Sequence, residues 1–387
     1  MIKISLATNF DDELIEKVKD YPIYEMYGKL NVDIIGGGRP TNYLKELDID
    51  RFEKHVKKVR ERGINFNYLL NSACLANFNQ NEGWKNNVLD FLNYLKSLNV
   101  NALTISNPYL VQLVKKHFKD EFIIRVGSFA CVDTYDKAKF WDDMGVDIIC
   151  VDFCKVNRNF EMLKYMVKNL RCKIEILCTN SCLKDCTMIH THVNDIAHAS
   201  NSNFDGKKYE DWGLNFCQSY QLNNLHEYIK SPWVRPEDLR YYEEIGIEHF
   251  KITERDFTTS ELVKRVESYC NKSYKGNLLD LIQGSGATFK ENLKLEKKNL
   301  FNNREEVVKE IQRVRGIGCV REAERHIVIH NELIPSNFIE FFIQNKCKGQ
   351  CSNCNYCRKI SEKVIEKNEE VCDYLKKLYD KFESLKF

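Results

Sequence analysis

A chain of 387 residues is too long for one small core and suits one large domain of about 250–300 residues with an appendage. With 43% hydrophobic and 29% charged residues and a net charge of +2, it has no global basic field that would point to nucleic acid. No apolar run reaches the ~20 residues of a membrane span, and the N-terminal MIKISLATNF lacks a long apolar stretch and a small-residue cleavage site, so we expect a cytoplasmic protein with no membrane partner.

In chain order, short apolar runs alternate with amphipathic segments. KISLAT (3–8) reads as a strand and DDELIEKVKDY (11–21) as a helix. YEMYG (24–28) is a strand running toward the glycine-rich GGGRP (36–40), and IDRFEKHVKKVRERG (49–63) is a helix stopped by Gly63. The alternation continues through strands INFNYLLN (64–71), ALTIS (102–106), FIIRVGS (122–128), VDIICVDF (146–153), KIEILC (173–178) and IEHFKIT (247–253). About eight strand–helix units in ~270 residues predict parallel pairing and a TIM-type (β/α)8 barrel, with a doubly wound open sheet as the competing arrangement. Residues 271–300 lose the pattern and read as a linker. Residues 1–270 are then the barrel, and 301–387 form a mostly helical, metal-binding extension.

Sixteen cysteines in a long chain without a secretion signal point to thiols kept free in a reducing compartment. Three of them, Cys178, Cys182 and Cys186, are spaced x3 and x3 just after the strand KIEILC, which places them at the face where barrel strands end. Cys217 is the fourth candidate, and His190 could replace one thiol. Four more, Cys347, Cys351, Cys354 and Cys357, lie within eleven residues at spacings x3, x2 and x2. Sets of four thiolates bind iron–sulfur clusters or zinc. One or two [4Fe–4S] clusters are expected, with zinc as the alternative at the C-terminal set. The single cysteines default to small buried hydrophobes. Of these Cys154 is the least settled, because VDFC ends a predicted barrel strand.

ILCTNSCLKDCTMIHTH (176–192) resembles the signature segment of the peptidase U32 family: a strand, an asparagine, then spaced cysteines and a histidine. YIKSPWVRPEDLRYYEEIGIEHFKITERDFTTSELV (228–263) resembles the family's following segment, and YGKLNVDIIGGGRP (27–40) is also similar. The family is named for collagenase-like proteases. Several branches resemble oxygen-independent hydroxylases of RNA bases or of a quinone precursor, carry a [4Fe–4S] cluster, and in some cases use prephenate as oxygen source. The resemblance implies a cluster on Cys182, Cys186 and Cys217 with Cys178 as fourth ligand, although the cysteine spacing departs from the family's usual one. It also implies an RNA base, a small aromatic acid or a peptide as substrate, an electron donor, and a homologous partner subunit.

Such a site needs cations to hold an anionic substrate. Arg39, Arg125, Arg158 and Arg255 fall at or just beyond predicted strand ends, where guanidinium groups clamp carboxylates in bidentate fashion. Lys251, Glu254 and Asp256 share the last strand end, and Glu25 and Asn71 lie on earlier strands. His190 is a candidate ligand or proton carrier, whereas His192 reads as structural. The hydrolase motifs G-x-S-x-G and H-E-x-x-H are both missing, so a peptidase with structural metal and a non-catalytic binding partner stand behind the redox enzyme.

Overall fold

The computed structural model describes residues 2–41, 44, 46–204, 210–282, 288–289, 303–315 and 324–385. Eight parallel strands close into a barrel in sequence order: β1 (Lys3–Ala7), β2 (Ile23–Gly28), β3 (Asn65–Leu70), β4 (Ala102–Ile105), β5 (Ile123–Val126), β6 (Ile148–Cys150), β7 (Lys173–Leu177) and β8 (His249–Ile252). β1 pairs with β8 to complete the ring, which excludes the open sheet. The protein is a (β/α)8 barrel with a mostly helical C-terminal extension.

The surrounding helices are α1 (Asp12–Lys17), α2 (Ile49–Glu61), α3 (Glu82–Ser97), α4 (Pro108–Phe118), α5 (Tyr135–Asp143), α6 (Phe160–Asn169), α7 (Ile189–Ala199), α8 (Trp212–Asn223), α9 (His226–Lys230), α10 (Leu239–Glu244) and α11 (Thr259–Asn271). Side-chain caps start most of them. Asp48, Asn81, Asn107, Thr134 and Asn159 each accept a backbone N–H of the first turn, and Thr258 forms a capping box with Glu261. Three helices, α7, α8 and α9, crowd between β7 and α10, where one crossover helix is the rule.

Alternation along the strands separates two cores. Outward residues such as Leu6, Met26, Phe66, Ile124, Ile176 and Phe250 are buried under the helices. Inward residues include a polar layer. Arg125 pairs with Glu25 at 2.9 Å and with Glu175, and donates to Ser5 Oγ at 2.9 Å, while Asn67 bridges Glu25 and Thr104. Above this layer Ala7, Tyr27 and Leu69 form a small apolar patch that floors the barrel mouth.

The extension comprises α12 (Arg304–Arg315), α13 (Glu340–Ile343), α14 (Tyr356–Val364) and α15 (Glu369–Ser384), with Ile327–Ile329 pairing antiparallel to Ile365–Lys367. α14 packs on α9, α15 packs on α8 and α12, and the apolar core is continuous with that of the barrel. The start of the expected linker is also ordered into this core. Leu278, Leu279 and Ile282 are buried, and Asn277 binds the backbone of Ile327 and Ile329. Residues 283–287 and 290–300 of that linker, and Cys319, lie outside the described residues. No helix among the described residues is long and apolar enough to cross a membrane.

Candidate active site at the barrel mouth

A cavity of about 180 Å³ opens at the C-terminal face of the barrel. Its walls come from the strand ends and the loops after them: Tyr27 from β2, Leu69 from β3, Thr104 from β4, Gly127 after β5, Phe153 after β6, Leu177 from β7 and Lys251 from β8. A larger cleft of about 430 Å³ lies beside it between Asn9, Arg51 and Thr258. It shares Arg255 with the mouth but has no sulfur in its walls.

Over the mouth fold the β7 loop and α8. Cys182, Cys186 and Cys217 all line the cavity. Three hydrogen bonds place them. Asn180 Oδ1 accepts the Cys182 N–H at 2.6 Å, Ser231 Oγ donates to Cys182 O at 2.6 Å, and Gln221 Nε2 on α8 donates to Ser181 O at 2.8 Å. The last bond ties the helix that carries Cys217 to the loop that carries the other two. Gly213 lets α8 approach α7, since a Cβ there would stand 2.9 Å from the His192 ring.

Cys178 is not part of this group. It is fully buried and follows Ile174 and Ile176 on the outer face of β7, in the core beneath α10 and α11, where its thiol interacts with the phenols of Tyr242 and Tyr269. Cys154 instead adjoins Cys182 and Cys186. It is buried with Phe153 and Leu177, Cys182 and Cys186 pack against it, and its carbonyl accepts the Asp185 N–H of the same loop at 3.3 Å. Burial, then Cys182, push its thiol well above the ordinary range. Burial likewise pushes Cys182 up to about 12, with neighbouring Cys186 adding to it. Both shifts disfavour the thiolate, the reverse of an activated cysteine nucleophile.

The expected cations divide in the same way. Arg39 and Lys251 line the mouth, Arg39 paired with Glu254 and the Lys251 ammonium 4.2 Å from the Tyr27 ring centroid. Glu254 holds φ at 97°, a strained value for a non-glycine residue, at this rim. Arg255 also lines the mouth, and burial followed by the Arg39 charge pulls its guanidinium down to about 10, so it stays cationic at neutral pH. Arg125 is instead sealed in the polar layer beneath the floor, paired with two carboxylates, and is no substrate clamp. Arg158 is buried on the outside of the barrel. It donates to Ile229 O and Trp233 O, each at 3.0 Å, and stacks on Trp233 and on Phe338 and Phe342 of the extension. It joins barrel to extension. His190 is exposed and does not line the cavity, whereas His192 does, its Nε2 2.8 Å from Asp211 Oδ1. Glu25 belongs to the polar layer, and Asn71 lines the mouth.

The C-terminal thiols Cys347, Cys351, Cys354 and Cys357 line a second cleft, of about 210 Å³. None of the described cysteines is in a disulfide. Among the described residues, no three His, Cys, Asp or Glu side chains are gathered as for a single metal ion.

The peptidase family U32 model matches residues 39–304, a span that includes most of the barrel, its mouth and the first cysteine group. The chain belongs to peptidase family U32. A protein of Methanocaldococcus jannaschii described as an uncharacterized protease is 27% identical over 334 residues, covering 86% of each chain. Among solved structures, that of the U32 peptidase Mk0906 is similar at 19% identity with a TM-score of 0.49, covering 66% of this chain and 93% of that one. A chitinase from Rhizomucor miehei is similar at 9% identity and a TM-score of 0.38, covering 70% of this chain and 99% of that one.

Proposed function

We propose that this U32 protein is an iron–sulfur-dependent redox enzyme of the cytoplasm that modifies an anionic substrate at the barrel mouth, by hydroxylation without oxygen or a related step. The observation that carries the reading is the gathering of Cys182, Cys186 and Cys217, from two separate segments, on one cavity with Arg39, Lys251 and Arg255. The donor chemistry fits: these are soft ligands in a partly buried setting, with Cys154 adjoining as the fourth. Cys154, Cys182, Cys186 and Cys217 would hold a [4Fe–4S] cluster, which when bound supplies one-electron chemistry.

The chain's own groups would handle the substrate. Arg255 is buried beside another guanidinium, and an incoming carboxylate or phosphate relieves that repulsion. Lys251 adds a point charge from the floor. Phe129, Phe153 and Leu177 give the cavity apolar walls that exclude water. The volume admits one ring-sized group, which suits a splayed RNA base or a small aromatic acid better than a peptide strand. A homologous partner subunit and an external one-electron carrier, which takes up the electrons that hydroxylation with water releases, complete the reading.

The peptidase reading, which the relative's description brings in, needs an activated nucleophile. The thiols of Cys154, Cys182 and Cys186 are shifted in the opposite direction. The test is iron, acid-labile sulfide and zinc per chain on anaerobically purified protein, beside a Cys182→Ala/Cys186→Ala variant. About four irons with matching sulfide should disappear in the variant. Equal iron in both proteins, or peptide hydrolysis that survives in the variant, defeats the proposal.

A further inference from the structure

The second cysteine group stands directly behind the first. Cys347, Cys351, Cys354 and Cys357 share their cleft with Lys184, which lies between Cys182 and Cys186 in sequence. The 182–186 loop therefore turns its cysteines to the barrel mouth and its lysine to the C-terminal cleft. Ser231 holds the Cys182 carbonyl, and the adjacent Lys230 lines the cleft within electrostatic reach of Cys351. The two thiol groups, far apart in sequence, thus stand on either side of one short loop.

Four thiols on one cleft are a soft donor set of the kind that holds an iron–sulfur centre. The cleft walls also carry Lys230, Lys346, Lys348 and Arg358 and no carboxylate, which offsets the negative charge of a thiolate-bound cluster. Lys346, Lys348 and Arg358 are exposed.

We infer that residues 347–357 hold a second iron–sulfur centre, and that electrons released at the mouth site leave there to a small acidic one-electron carrier protein. The inference rests on the iron–sulfur reading of the mouth. Hydroxylation of a C–H bond with water yields C–OH, two protons and two electrons, and two oxidised carriers each take one electron that has crossed the 182–186 loop and the C-terminal centre. The transfer itself makes and breaks no bond. The exposed cationic rim faces the carrier's carboxylates and speeds encounter.

The test compares native protein with Cys351→Ser/Cys354→Ser, two exposed positions chosen to spare the core, and with Cys182→Ala/Cys186→Ala. About eight irons are expected in native protein, and each double variant should lose about half, with the far-ultraviolet spectrum unchanged. Zinc at the C-terminal site with mouth iron intact overturns this inference alone. Iron at the C-terminal site with none at the mouth overturns the mouth reading instead. The electron route is read in reverse, from the rate at which a reduced [2Fe–2S] ferredoxin, a small acidic carrier, bleaches the ~400 nm band. A Lys346→Glu/Lys348→Glu variant with full iron should be about ten-fold slower at low salt, and equally fast with dithionite. Equal rates with ferredoxin overturn this route. RNA binding that the same variant abolishes, with ferredoxin rates unchanged, assigns the rim to nucleic acid instead.

Discussion

Leu177, the last residue of β7, and Cys178, the next in the chain, face opposite sides of the barrel wall, Leu177 toward the mouth and Cys178 toward Tyr242 and Tyr269. The alternation of a strand decides which cysteines can share a ligand. Cys178→Ala is expected to leave the iron content unchanged and to cost about 1 kcal/mol through lost packing. Cys154→Ala is expected to remove the mouth iron. Iron analysis of the two single variants distinguishes them, and the opposite pattern would restore Cys178 as a ligand.

The polar layer is a second place where one side chain matters more than its neighbours. Arg125 is 1% exposed and stands between Glu25 and Glu175. Burial works to raise the Glu175 carboxyl, but Arg125 and then Lys251 hold it below its usual value, while burial keeps Glu25 above it. Arg125→Met leaves buried carboxylates without their counter-charge and should destabilise the fold by about 3–5 kcal/mol. Urea denaturation at neutral pH measures this. A loss under about 1 kcal/mol would mean the layer is hydrated.

His249, inside the barrel at the start of β8, supplies a pH dependence. Burial, then the Arg125 charge, pull its imidazole down to about 4 from an ordinary 6.5. Its folded pKa lies below the unfolded one, so between those values the unfolded chain binds the extra proton. The neutral imidazole therefore costs nothing above pH 6.5, and stability falls as pH drops from 6.5 to about 4, by on the order of 3 kcal/mol. His249→Gln should flatten the stability curve across that window. A parallel curve would assign the slope to other groups.

Arg158 fastens the extension to the barrel through two carbonyls and three aromatic rings. Arg158→Ala should cost about 3 kcal/mol and open the contact between α9 and the 338–357 segment. Limited proteolysis is expected to release a C-terminal fragment from the variant sooner than from the native chain. Equal cleavage rates would show that α14 and α15 hold the extension unaided.

The sequence was enough for the barrel and for the gathering of cysteines after β7. Strand–helix periodicity is local, and all eight expected strands stand within a few residues of where the pattern puts them. It was also enough for the face on which the cysteine-lined cavity opens, since strand ends of a barrel point one way. It did not separate Arg39 and Arg255 at the mouth from Arg125 beneath it and Arg158 outside it. All four follow or end strands, and their neighbours in space come from residues 25, 175, 254 and 338.

Tertiary structure alone decided which thiols meet. Cys154 and Cys182 are separated by a helix and a strand, and they come together because β6 and β7 are adjacent in the ring and the β7 loop folds back over β6. The placement of residues 347–357 behind that loop has no signature in the sequence either. It follows from α14 docking on α9 and from the shared apolar core, contacts whose free energy depends on shape and burial across the whole chain. Local pattern set the elements and their order, and long-range packing set the chemistry.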